Sequence, residues 1–206
     1  MSAYQRKDAA YRAAKQAGLR SRAGVKLEDL DTRFHLFAPG QTVVDLGCWP
    51  GAWLQVAASR VGERGRVVGV DLVEIAPLPL PNVRVLRGDV ADSEVRARLR
   101  ELAGDRCAVL LSDMAPKLTG IRITDDAREE ALVKLAIDVA RDLLGRDGKL
   151  LVKLFSRVEA DAIRSLRAEF TSVTTFRPPS TRKGSSEIYA LASGRRQDTT
   201  DKELGR

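Results

Sequence analysis

The chain has 206 residues, with 35 Lys and Arg against 28 Asp and Glu, a single His and a formal net charge of +7. Its length suits one domain, and an apolar content of 44% is enough for a hydrophobic core and too high for a disordered chain. No apolar run approaches the roughly 20 residues that span a bilayer, and the basic start has no apolar signal core, so we expect a cytoplasmic protein without membrane segments.

The positive charge lies at the two ends of the chain. Residues 1–30 carry a net charge of +4 and residues 177–206 a net charge of +3, whereas the body between them is neutral. This distribution is typical of a globular core that meets a polyanion through its flanks, although two solvated tails would give the same count. We expect a basic N-terminal arm (residues 1–24), one domain (residues 25–194) and a disordered tail (residues 195–206).

Short β-branched apolar runs alternate with longer helical stretches, as in a parallel α/β sheet. In chain order the predicted strands are 42–46, 66–71, 83–86, 107–113 and 149–155, and the predicted helices are 53–61, 93–102, 124–144 and 158–170. Ser93 and Thr124 are the expected N-caps of two of these helices. Two last strands, near 172–176 and 187–192, are joined by a turn-rich basic segment and predict a terminal antiparallel hairpin.

A glycine turn follows the first predicted strand, in the order Asp45-Leu46-Gly47-Cys48-Trp49-Pro50-Gly51. Glycines there let the backbone approach a ligand at the carboxyl edge of a parallel sheet. Asp71 ends the next strand 20 residues beyond Gly51, a separation at which an acid binds ribose hydroxyls. Asp89 follows the third strand and is placed to accept from an adenine amino group.

The turn is not the G-x-G-x-x-G fingerprint, and Asp45 would lie unfavourably beside a pyrophosphate. A nucleoside cofactor with a cationic amino-acid end suits these acids better, which favours S-adenosylmethionine over NAD. A tight strand–helix turn without any ligand is the simpler structural alternative.

Three later positions carry residues for chemistry. Asp113 ends the fourth strand, Lys153 lies within an otherwise apolar strand, and Glu187 opens the last strand, where it could pair with Lys153. Lys26, in the N-terminal flank, is a further candidate. A single lysine usually extends to solvent and a single glutamate is usually solvated, but their joint placement at one sheet edge favours a shared site.

These motifs together resemble the FtsJ/RrmJ family of S-adenosylmethionine-dependent RNA ribose 2′-O-methyltransferases. The residues that carry the resemblance are Arg20-Ser21-Arg22-Ala23-x-x-Lys26-Leu27, Val44-Asp45-Leu46-Gly47-x-x-Pro50-Gly51-x-Trp53, Ser112-Asp113-Met114-Ala115-Pro116, Val152-Lys153 and Ser186-Glu187-x-Tyr189. They follow family order and spacing from Lys15 to Gly194. Trp49 and Ala52 depart from the family pattern, because many members have a small residue and a second glycine at these positions.

The resemblance implies a Rossmann-like methyltransferase fold, with a seven-stranded, mostly parallel sheet and helices on both faces. It also implies methyl transfer to an RNA ribose 2′-hydroxyl, as in the bacterial members that methylate a uridine in the A-loop of 23S rRNA. The implied catalytic tetrad is Lys26, Asp113, Lys153 and Glu187. The expected cofactor contacts are Asp45, Gly47, Gly51, Trp53, Asp71, Asp89 and Asp113.

From the residue types, we expect Lys153 to act as base or to stabilise the emerging alkoxide, with Asp113 orienting it. Lys26 and Glu187 would hold the hydroxyl and the lysine in register. The expected RNA contacts are Arg20, Arg22, Arg177, Arg182 and Lys183. The expected partner is ribosomal RNA within the large subunit, bound by a monomer without a metal ion.

Three alternatives stay open. A methyltransferase for a small molecule, a protein or another RNA would share the cofactor half, and a non-catalytic RNA-binding assembly factor would keep the fold. A nicotinamide-dependent oxidoreductase is the most distant. The lone His35 excludes a multi-His metal site, and Cys48 and Cys107 match no metal-ligand spacing and favour a reducing compartment.

Overall fold

The computed structural model describes residues 9–104 and 106–196. Seven strands form one sheet in the order β3-β2-β1-β4-β5-β7-β6. The strands are β1 (Thr42–Leu46), β2 (Arg66–Asp71), β3 (Val83–Arg87), β4 (Cys107–Ser112), β5 (Leu144–Phe155), β6 (Phe170–Phe176) and β7 (Glu187–Arg195). The helices are α1 (Ala9–Gln16), α2 (Ala23–Phe34), α3 (Ala52–Val61), α4 (Ser93–Ala103), α5 (Arg122–Leu143) and α6 (Glu159–Glu169).

The predicted sheet, mostly parallel with a terminal antiparallel hairpin, is confirmed. Strands β1 to β5 pair in parallel, whereas β7 runs antiparallel to both β5 and β6. Side chains alternate between the two faces, so Val44 belongs to the core on the face covered by α4, α5 and α6, and Val43 to the core on the face covered by α2 and α3. Burial on both faces accounts for the continuous apolar runs that marked the strands in the sequence.

The direction of β7 determines what lies at the functional edge. Because β7 is antiparallel, it begins at the edge where β1, β4 and β5 end. Its register sets Glu187 opposite Phe155 and Tyr189 opposite Lys153. Residues from the start of β7 therefore meet residues from the ends of β4 and β5.

The N-terminal region differs from the expectation of a separate arm. Helix α2 begins at Ala23 and crosses the expected boundary between residues 24 and 25. Leu27 and Leu30, spaced as on one helix face, are fully buried against the sheet, so Lys26 belongs to the packed domain. Most of the expected tail lies outside the described residues, and Arg195 is the last residue of β7.

Both predicted N-caps were wrong. Asp92 caps α4, and its side chain accepts from the main-chain N–H of Glu94. Helix α5 begins at Arg122, so Thr124 lies inside it. The buried Asp125 instead accepts from the main-chain N–H groups of Thr119 and Gly120, which fixes the loop that follows β4. Across residues 9–104 and 106–196, no helix combines the length and the apolar character needed to cross a bilayer.

Candidate active site

Four charged side chains meet at the carboxyl edge of the sheet as two ion pairs. Lys153 Nζ lies 3.0 Å from Asp113 Oδ1 and donates to the Asp113 carbonyl oxygen at 2.5 Å. Lys26 forms the second pair with Glu187, in a short contact. The Lys153 side chain is only 8% exposed, so its ammonium depends on these oxygen partners. Glu187, which the sequence suggested as a partner of Lys153, forms its ion pair with Lys26 on α2, and Lys153 acts on Glu187 through its charge.

Tyr189 joins the two pairs. Its hydroxyl lies 2.8 Å from Glu187 Oε1 and 3.1 Å from Asp113 Oδ1, and its ring is fully buried against Trp53. Burial raises the pKa of the phenol well above its usual value, and the two neighbouring carboxylates raise it further. The hydroxyl therefore stays protonated and acts as a hydrogen-bond donor to these carboxylates. The sequence placed Tyr189 in a motif but gave it no role; its spacing of two from Glu187, on one face of a strand, was the available signal.

Burial acts to raise the pKa of Glu187, but the opposing effects of its partners prevail. The charge of Lys26 and the hydrogen bonds from Lys26 and Tyr189 hold that pKa below its ordinary value. Glu187 is therefore ionised at neutral pH.

A cavity of about 710 Å³ opens beside the tetrad at the same edge of the sheet. The expected cofactor residues Gly47, Asp71, Asp89 and Asp113 line it, together with the exposed Trp49. Asp71 and Asp89 are held at its wall, because Asp71 accepts from the main-chain N–H of Trp49 and Asp89 from that of Ala91. Each carboxylate keeps further lone pairs for a ligand hydroxyl or amino group.

Gly47 allows the close approach that the sequence predicted. Its φ is +75°, and a Cβ at this position would lie 2.9 Å from the Met114 side chain and 3.1 Å from its backbone. A glycine here therefore lets the turn pack directly on the residue that follows Asp113, which closes the cavity floor.

Asp45 lies beneath the turn and is unusual in two respects. It is fully buried, and among the described residues neither carboxylate oxygen has a hydrogen-bond partner. Burial raises the pKa of this carboxyl well above its usual value, and the charges of Asp113 and Asp71 raise it further. It lines a narrow recess that shares Gly47, Trp49 and Asp113 with the large cavity. A cationic ligand group at that recess would supply the missing donors.

Besides Asp45, two of the expected cofactor contacts do not line the large cavity. Trp53 is buried beside Asp45 in the wall of the recess and donates from its indole N–H to the Ala23 carbonyl. Gly51, the N-cap of α3, has a φ of +105° and faces Leu78 and Arg20. Direct cofactor contact by either residue stays a prediction, whereas their structural contacts connect the turn to the N-terminal arm.

The expected RNA contacts divide into three places. Arg22, Arg182 and Lys183 line a basic depression of about 450 Å³ whose other lining residues are Lys26, Ser185 and Glu187. Arg177 donates to the Ser185 carbonyl within the loop before β7. The guanidinium of Arg20 lies away from the depression and donates to three main-chain carbonyls.

The FtsJ-like methyltransferase family matches residues 19–195, a span that contains the tetrad and the cavity. The chain belongs to the FtsJ-like methyltransferase family. It is 47% identical over 190 residues to the ribosomal RNA large subunit methyltransferase E of Halorubrum lacusprofundi, which covers 91% of this chain and 71% of that protein. It is 43% identical to the protein of the same name from Methanothermobacter thermautotrophicus, over 92% of this chain and 90% of that one.

Solved structures share the fold of this FtsJ-like chain. A ribosomal RNA methyltransferase from Plasmodium falciparum superposes with a TM-score of 0.75 at 25% identity, over 85% of this chain and 98% of that one. Fibrillarin from Aeropyrum pernix, solved with bound S-adenosylmethionine, shares the fold with a TM-score of 0.55 at 17% identity, over 75% of this chain and 67% of that one.

S-adenosylmethionine is the cofactor of this FtsJ-like enzyme. The residues present fit it, because Asp71 and Asp89 suit the ribose and adenine, and the unpaired Asp45 carboxyl suits the cationic amino end. Of the two departures from the family pattern, the exposed Trp49 lines the cavity, and Ala52, the buried first residue of α3, does not.

Proposed function

We propose that this protein transfers a methyl group from S-adenosylmethionine to a ribose 2′-hydroxyl of large-subunit ribosomal RNA. One observation carries the proposal: the tetrad lies between the cofactor cavity and the basic depression. Asp113 lines the cavity, and Lys26 and Glu187 line the depression. A ribose whose phosphates lie in the basic depression would therefore present its hydroxyl to Lys153 and to the cofactor side at once.

The methyl-transfer reaction requires only a few catalytic tasks of the protein itself. The cofactor supplies an activated methyl group on a sulfonium, so the protein must align a weak nucleophile and manage one proton. Lys153, held by Asp113, is placed either to stabilise the developing alkoxide as an ammonium or, as a neutral amine, to take the proton of the 2′-hydroxyl. Lys26 and Glu187 orient the hydroxyl from the other side, and Tyr189 keeps the two carboxylates at fixed positions.

Ribosomal RNA of the large subunit is the proposed substrate because the relatives at 42–47% identity carry that substrate in their names. The finer proposal is a uridine in the A-loop of 23S rRNA, within the assembled subunit. Because one chain supplies all four tetrad residues, we propose that the enzyme acts as a monomer. We also propose that it acts in the cytoplasm.

The test is transfer of a labelled methyl group to large ribosomal subunits, free rRNA and a small-metabolite extract, followed by mapping of 2′-O-methylated nucleotides. Label in one ribose of large-subunit rRNA supports the proposal. Label confined to small metabolites would show a different methyltransferase. Binding to subunits without any label would show an assembly factor.

A further inference from the structure

Arg20 is built into the fold through its guanidinium group. Nη1 donates to the carbonyl oxygens of Pro50 at 3.2 Å and Ala76 at 2.6 Å, and Nη2 donates to that of Pro77 at 2.5 Å. Three main-chain acceptors from two separate segments thus converge on one side chain, which is itself half-buried. Such a set of acceptors suits the planar fork of a guanidinium.

The two segments that Arg20 joins are the cofactor turn and the chain after β2. Pro50 lies within the turn, between Trp49, which lines the cavity, and Gly51, which is the N-cap of α3. A Cβ on Gly51 would lie 3.2 Å from Leu78 and 3.4 Å from Arg20, so both side chains support the turn from behind.

Further hydrogen bonds fix the backbone around Arg20 to helix α3. The main-chain N–H of Arg20 donates to the Gln55 side chain, which in turn donates to the Gly18 carbonyl. The Trp53 indole donates to the Ala23 carbonyl at 2.8 Å. The arm is therefore attached to the first turn of α3, next to the cofactor turn.

We propose that Arg20 is a positioning residue for S-adenosylmethionine, not an RNA phosphate contact. It holds the Pro50 carbonyl and the 76–78 segment together, so that Trp49 and Gly47 keep their places at the cavity wall. Arg22, two residues on, has the complementary role in the basic depression, where it donates to the Ser180 carbonyl at 2.6 Å. Only the part of the inference that concerns Arg22 rests on the proposed RNA substrate.

The experiment compares Arg20→Ala, Arg20→Lys and Arg22→Ala in the full chain. The dissociation constant of S-adenosylmethionine is measured calorimetrically without RNA, and KM and kcat are measured for both substrates. We expect Arg20→Ala to weaken cofactor binding and raise the cofactor KM by about tenfold, with little change in kcat at saturating cofactor. Arg20→Lys keeps the charge but not the fork, so it does not restore cofactor affinity.

RNA binding separates the two arginines. We expect Arg20→Ala to leave the salt dependence of rRNA binding unchanged, and Arg22→Ala to reduce its slope by about one without changing cofactor affinity. If Arg22→Ala leaves the salt dependence of rRNA binding unchanged while the Arg20 variants behave as expected, the RNA proposal is wrong and the positioning role of Arg20 stands.

A matched control separates positioning from general loosening. Asn82 donates to the Ala58 and Gly62 carbonyls at the far end of α3, so Asn82→Ala weakens the same helix away from the turn. We expect this variant to lower Tm with unchanged cofactor affinity. The inference is overturned if Asn82→Ala weakens cofactor binding as much as Arg20→Ala does, if Arg20→Lys restores it, or if Arg20→Ala leaves it unchanged.

Discussion

Lys153 and Tyr189 face each other across the antiparallel pair of β5 and β7, and both contact the same oxygen of Asp113. The ammonium lies 3.0 Å and the phenol oxygen 3.1 Å from Asp113 Oδ1. Because Tyr189 is fixed in the core, the carboxylate that orients Lys153 is itself fixed. The tetrad is therefore arranged before a substrate arrives, which is what electrostatic catalysis requires.

Replacement of Lys153 should abolish turnover without abolishing cofactor binding. For Lys153→Ala we expect methyl transfer to fall by about 10²- to 10⁴-fold, because the group that manages the proton is removed. Calorimetry should show cofactor affinity close to that of the original protein. Lys149→Ala, on the same strand with its ammonium on the His35 carbonyl, is the matched control and should keep turnover. Near-normal turnover of Lys153→Ala would show that Lys153 is not a catalytic residue.

Tyr189→Phe removes the hydroxyl that bridges the two carboxylates and keeps the ring. We expect turnover to fall about tenfold and the free energy of unfolding to fall by about 1–3 kcal/mol, because two half-buried carboxylates each lose a hydrogen-bond donor. Initial rates and denaturant unfolding measure these effects. Unchanged values of both would show that the bridge has no function.

Acid should weaken the Lys26–Glu187 pair. The pKa of Glu187 is lowered in the folded protein, so the stability from this group is present above its ordinary pKa of 4.5 and is lost as pH falls through the lower folded value. We expect Glu187→Gln to make the free energy of unfolding less dependent on pH below 4.5. Unfolding of both proteins over a pH series measures the difference, and identical slopes would contradict it.

The contribution of Asp45 to the free energy of unfolding changes with pH in the opposite direction. Its folded pKa is raised, so its contribution is fully present below 3.8 and declines as pH rises towards the folded value. Asp45→Asn mimics the neutral form, and we expect it to be more stable than the original protein at neutral pH without cofactor. We also expect weaker binding of S-adenosylmethionine, since an asparagine cannot ionise when the cationic amino end binds. Tighter binding would show that Asp45 does not face that end.

The basic depression should account for salt-dependent RNA binding. For Arg182→Glu with Lys183→Glu, we expect the slope of log affinity against log salt to fall by about 1.4–1.8, or about 0.7–0.9 for each phosphate that the variant no longer neutralises. Arg64→Glu with Arg146→Glu changes net charge equally at exposed positions outside the depression. Equal weakening of RNA binding in the two double variants would indicate a non-specific effect of charge.

The sequence predicted the sheet and the acids at its edge because both follow from local pattern. Apolar runs marked the strands, and Asp71, Asp89 and Asp113 lie at or just after the carboxyl ends of three of them. The pairing of Lys26 with Glu187 depends on contacts 161 residues apart, which no local pattern encodes. The carbonyl partners of Arg20 were equally hidden, since main-chain acceptors have no sequence signature. Helix α2 was not predicted, although it has a local signal, because Leu27 and Leu30 have helical spacing.

The reversed direction of β7 has a consequence for how the enzyme comes into being. Lys26 is among the first residues of the domain to be synthesised, and its partner Glu187 is among the last. The charges at the active edge therefore stay incomplete until β7 has inserted between β5 and β6. An N-terminal fragment that ends before residue 187 would carry every cofactor acid and yet have no working centre, so activity begins only when synthesis of the domain is nearly finished.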